Sequence, residues 1–74
     1  GNDPKQTSNP IERLSNRELQ VLNLVGRGKT TREVAENLTL SVKTVESHRQ
    51  RIKKKLNLQT SAQLVQFAVS SYTQ

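Results

Sequence analysis

The sequence predicts an all-α fold: a compact four-helix domain with a central helix-turn-helix, made of a tri-helical core plus a C-terminal helix. Three observations carry this expectation. Pairs of the form Ser/Thr-x-x-Glu/Gln stand at Ser15/Glu18, Thr30/Glu33 and Thr60/Gln63, and each precedes an apolar run. Leucines and valines recur at the spacings that place them on one face of a helix. The stretch from Thr30 to Leu56 reads as a short helix, a tight turn and a longer, strongly basic helix.

The chain has 74 residues, enough for one small domain. Such a chain buries about 60% of its unfolded surface, so its core is thin. Residues 1–12 read as a flexible tail or interdomain linker. They are rich in Asn, Asp, Gln and Pro and lack an apolar period, and Pro4 and Pro10 oppose a continuous helix. Residues 13–72 read as the folded domain. Its first helix opens at Ser15, whose hydroxyl can cap the Glu18 amide while Glu18 reaches back, with Leu14 and Leu19 as a hydrophobic staple. Leu19, Leu22 and Val25 share one face, and Gly26 and Gly28 mark the end, one of them in the left-handed conformation.

The second helix repeats the device with Thr30 and Glu33, and Val34, Ala35 and Leu38 form its inner face. Ala35 is small, which allows close approach of the two helices of the motif. The turn is Thr39-Leu40-Ser41; Ser41 suits the N-cap of the third helix, and Leu40 with Val45 makes a further staple. The third helix is expected from about Val42 to Leu56, with Val45, Ile52 and Leu56 as its seam and Asn57 at its C-cap. The fourth begins at Thr60 and carries Leu64, Val65, Phe67, Ala68, Val69 and Tyr72.

Composition excludes several function classes. There is no Cys, hence no disulfide and no thiolate metal site. One His and one Asp (Asp3) cannot assemble a catalytic or metal-binding cluster, so neither an enzyme nor a cofactor or metal site is expected. No apolar run approaches the length of a membrane span. The polar stretch from Gly1 to Pro10 lacks the apolar core of a signal peptide, and a cytoplasmic location without membrane contact is the expectation.

The net charge is +6, and it is local. Residues 29–56 carry eight basic and three acidic side chains, whereas residues 57–74 carry no charge. A local excess of basic charge suits the footprint of a polyanion such as double-stranded DNA, although charge alone fits a solvated helix face equally well. At about 100° per residue, Val45, Ile52 and Leu56 define the core side of the third helix, and Lys43, Ser47, Gln50 and Lys54 lie within about 40° of the opposite pole. Glu46 and Arg51 flank them. These side chains suit base reading: Gln pairs with adenine N6 and N7, Lys reaches guanine O6 and N7, and Glu accepts from cytosine N4. Candidate phosphate contacts are Lys43, Thr44, His48, Arg49, Arg51 and Lys53 on the helix and Thr60 at the opening of the fourth helix. His48 lies about 60° from the core seam and reads as a packed, hydrogen-bonding residue that touches the DNA backbone. Lys55 points toward the protein and is expected to pair with an acidic neighbour.

The segments Leu14-Ser15-x-Arg17-Glu18-x-x-Val21-Leu22, Gly28-Lys29-Thr30-Thr31-Arg32-Glu33-Val34-Ala35, Leu38-x-Leu40-Ser41-x-Lys43-Thr44-Val45 and His48-Arg49-x-Arg51-Ile52 together resemble the LuxR/NarL-type DNA-binding domain. The resemblance runs from about Leu14 to Val69. It implies a four-helix domain whose third helix reads the major groove and whose fourth pairs two protomers on DNA. It places base contacts at Glu46, Ser47 and Gln50. The chain departs from the pattern at Glu46, where several members carry a basic residue, and at Thr39, where a turn glycine is common. The resemblance further implies an output domain of a longer transcriptional regulator, of response-regulator or quorum-sensing type, with a separate N-terminal signal-input domain.

Leu64, Ala68 and Tyr72 form one row on the fourth helix, and Val65 and Val69 a neighbouring one. One row must close the core, and these five residues are the candidate dimer contacts of a homodimer on DNA. Two other readings compete. A sigma-factor-like promoter-element domain has a similar motif, but the separately capped fourth helix speaks against it. A protein-interaction module would use the basic face on an acidic partner and discriminate no DNA sequence.

Overall fold

The computed structural model describes residues 10–72. After a 3-10 turn at Pro10–Arg13 come four helices: α1 (Asn16–Gly26), α2 (Thr31–Leu38), α3 (Val42–Lys55) and α4 (Ser61–Tyr72). The described residues contain no strand, as expected for an all-α helix-turn-helix domain. The tail expected over residues 1–12 falls mostly outside the described residues. In its described part, the Leu14 amide donates to the Ile11 carbonyl at 3.0 Å, and Ile11, an apolar residue, packs against the core.

Helix starts follow the side chains that cap them. The Ser15 hydroxyl accepts from the Glu18 amide at 3.2 Å and the Glu18 carboxylate accepts from the Ser15 amide at 2.9 Å. Thr30 and Glu33 form the same pair at 3.2 and 2.9 Å. Ser41 accepts from the Thr44 amide at 3.1 Å. At α4 the Thr60 hydroxyl accepts from the Gln63 amide at 3.1 Å, and Gln63 Oε1 accepts from the Gln59 amide at 2.6 Å and the Thr60 amide at 3.4 Å. Each pair satisfies N–H groups that a helix start leaves without an intrahelical partner.

The ends of α1, α2 and α3 share one design. Gly28 (φ +89°), Thr39 (φ +57°) and Asn57 (φ +60°) turn left-handed. The next residue donates back across five positions: Lys29 to Leu24, Leu40 to Ala35 and Leu58 to Lys53, at 3.1, 2.8 and 2.8 Å. The left-handed residues themselves donate to Val25, Glu36 and Lys54. This double closure is the Schellman motif. Gly28 adopts it without cost; Thr39 and Asn57 carry a Cβ into it, and Thr39 is branched there.

The core runs through all four helices. Leu14, Val21, Leu22 and Val25 meet Val34 and Ala35 of α2, Val45, Ile52 and Leu56 on the α3 side, and Leu64 and Ala68 of α4. Leu19, Leu38, Leu40 and Phe67 close its margins. The expected α3 seam is therefore the observed one, and it directs the opposite face outward. Among the described residues Glu18 is the one buried charged side chain, and the ion pair described below accounts for it.

Candidate nucleic-acid interface

Helix α3 presents the face on which base contacts were expected. Lys43, Glu46, Ser47, Gln50, Arg51 and Lys54 are all exposed. They stand opposite Val45 and Ile52, which are wholly buried, so the packing that holds the helix also fixes which side chains point away. Among the described residues none of Lys43, Arg49, Arg51, Lys53 and Lys54 has an ion-pair or side-chain hydrogen-bond partner. Five cations on one helix thus have no charged or hydrogen-bonding partner among the described residues. Glu46 likewise has no ion-pair partner among them, a carboxylate on a cationic face.

The Ser41 hydroxyl donates to Thr44 Oγ1 at 2.9 Å, so the first turn of α3 is tied together where it would meet DNA. Arg49 and Lys53 are half-buried, their stems against the domain. They share a depression of about 360 Å³ with Glu46, Gln50, Thr31 and Ser61. The starts of α2 and α4 therefore open beside the same two cations. Sequence reasoning named Thr60 here but missed Thr31 and Ser61. The capping pairs at Thr30 and Thr60 were the available signal, since they mark where helix amides emerge. A second depression of about 330 Å³, lined by Gln50, Arg51, Lys53, Lys54, Leu58 and Gln59, runs along the other flank.

His48 is half-buried, in keeping with its place beside the seam, and its buried Nδ1 has no hydrogen-bond partner among the described residues. A proton on Nε2 avoids burying an unpaired N–H and leaves the donor on the outer nitrogen. Lys55 departs from the other basic residues of α3. Its Nζ donates to Glu18 Oε1 at 2.8 Å, the acidic pairing expected for it. Burial raises the Glu18 carboxyl pKa, but the Lys55 ammonium and the Ser15 hydrogen bonds outweigh it, and the net shift is downward.

On α4, Leu64 and Ala68 are buried in the protomer's own core. That corrects their placement on a dimer face: the row nearest α1 closes the monomer. Val65 and Val69 remain about 40% exposed, and Tyr72 ends the helix with a side chain outside the described residues. The described residues contain no group of three or more potential metal-ligating side chains. None of their helices is long and apolar enough to cross a membrane.

Residues 12–68 match the model of the family described as bacterial regulatory proteins, luxR family. The chain belongs to the LuxR family. The match covers the helix-turn-helix and most of α4, and it makes this LuxR-type domain a DNA-binding module of transcription regulation rather than an enzyme. Among its relatives is the oxygen regulatory protein NreC of Staphylococcus carnosus (strain TM300), 45% identical over 69 residues, which are 93% of this chain and 32% of the relative. The NreC proteins of Staphylococcus aureus strains MRSA252 and JH9 are 45% and 43% identical over 67 residues, or 90% of this chain and 31% of each relative. The LuxR-type chain thus spans about a third of the length of these curated relatives.

Proposed function

We propose that this chain is the sequence-specific, double-stranded-DNA-binding output domain of a cytoplasmic response-regulator-type transcription factor. The observation that carries this reading is the outer face of α3, where Lys43, Arg51 and Lys54 are exposed, have no partner among the described residues and flank Ser47 and Gln50. In this reading α3 lies in the major groove. Glu46, Ser47, Gln50, Lys43 and Lys54 meet base edges, and Thr44, His48, Arg49, Arg51, Lys53 and Thr60 meet phosphates. Two copies bind half-sites about one helical turn apart and pair through the exposed Val65 and Val69, with Tyr72 on the same helix. The two thirds of the relatives' length that the chain does not span leaves room for a signal-input domain.

Selection of bound sites from a random duplex pool at near-physiological salt tests this directly. Enrichment of two related half-sites at one-turn spacing is the expected result. A single enriched half-site removes the dimer and keeps base reading. Binding without enrichment overturns sequence recognition and leaves the basic face to a non-specific polyanion or an acidic protein. If six to eight phosphates are neutralised, log affinity falls against log salt with a slope of about −5 to −7.

A further inference from the structure

We infer that Glu18 is a positioning residue for DNA binding: it withholds Lys55 from the DNA backbone and so sets how many cations α3 offers to phosphates. The inference rests on the DNA-docking reading above. Lys55 lies in the last turn of α3 beside Lys53 and Lys54. On the helical wheel it falls about 40° from Arg51 and about 80° from Val45, between the core seam and the reading face. Its side chain is 39% exposed, whereas Glu18 is almost fully buried. The ammonium therefore has a route to solvent but is drawn inward, across α1.

The anchor is rigid because Glu18 Oε1 accepts twice. It takes the Ser15 amide at 2.9 Å, closing the α1 capping box, and the Lys55 ammonium at 2.8 Å. A carboxylate held by its own helix start cannot follow Lys55 outward. Arg13 adds a tether from the same side, its Nη1 donating to the Lys55 carbonyl at 3.4 Å. The α3 cations Lys43, Arg49, Arg51, Lys53 and Lys54 have no such partner among the described residues. Pairing at Lys55 divides the six cations of α3 into five without a partner among the described residues and one held by the fold.

The test is the salt dependence of binding to random-sequence duplex, because a merely structural residue does not steepen that slope. Glu18→Gln keeps an acceptor for Ser15 and removes the charge that holds Lys55. Its slope is expected to steepen by about 0.9, so that a fourfold rise in salt weakens binding about 3.5-fold more than in the parent chain. Lys55→Gln alone is expected to leave the slope unchanged, and the double variant to return it to the parent value. Lys55→Gln leaves the capping box intact and keeps the question answerable if Glu18→Gln fails to fold. A flatter slope in Lys55→Gln overturns the inference, since Lys55 would then already sit on a phosphate; so does an unchanged slope in folded Glu18→Gln. Lys53→Ala separates the two levels. It must flatten the slope if α3 docks as proposed, and failure there overturns the docking reading itself.

Discussion

Thr39 holds the least comfortable backbone in the domain, a β-branched residue in the left-handed region at the turn that aims α3. Relief of that strain outweighs the added freedom of a glycine in the unfolded chain. Thr39→Gly is therefore expected to stabilise by about 0.5–1 kcal/mol, a rise in Tm of about 2–8 °C by thermal melting. The sequence announced this position only through its departure from the LuxR pattern. Gly28 was legible because glycine suits positive φ. Asn57 was readable as a helix-ending residue, but its left-handed backbone was not, since an Asn there fits either conformation. On the reading face, Gln50 and Lys53 separate two kinds of contact. Gln50→Ala is expected to relax preference at one base position, seen in repeat site selection, whereas Lys53→Ala weakens every duplex alike in titrations. Equal losses on all sequences for Gln50→Ala would contradict a base contact.

Among the elements, α4 divides its two rows by burial. Leu64 is wholly enclosed and Val65 is not. Leu64→Ala is expected to lower stability by about 2–5 kcal/mol in denaturant melts, a large fraction of what so small a domain has. Val65→Lys leaves the melt almost unchanged but reduces binding to paired half-sites relative to a single half-site, and equal binding to both would remove α4 from the dimer interface. Periodicity found both rows but could not say which faced inward. That choice depends on where α1 lies, a long-range fact that spacing within one helix does not contain. The starts of the helices were readable to the residue, because each is set by a side chain three positions from the amide it satisfies. The convergence of Thr31 and Ser61 on Arg49 and Lys53 is again tertiary, and only the assembled helices reveal it.

Across the whole molecule, acid is expected to loosen the domain through Glu18. Its carboxyl pKa lies below the ordinary value of 4.5 in the fold and returns to it on unfolding. Between the two values the unfolded chain binds the extra proton, so this contribution to stability is complete above the ordinary range and declines as pH falls through the folded pKa. Denaturant melts from pH 6 downward check the sign, and Glu18→Gln should show a shallower decline than the parent chain. The three left-handed helix ends have a kinetic consequence. Each reversal of chain direction is closed by hydrogen bonds that span at most five positions, and each following helix start is closed over three or four. The turns can form before any distant segments meet, so little loop-closure entropy stands in the way of assembly. Temperature-jump or rapid-mixing relaxation is therefore expected to find refolding on the order of microseconds to milliseconds. A domain that opens while searching along DNA would then close again far faster than a typical regulator leaves its site.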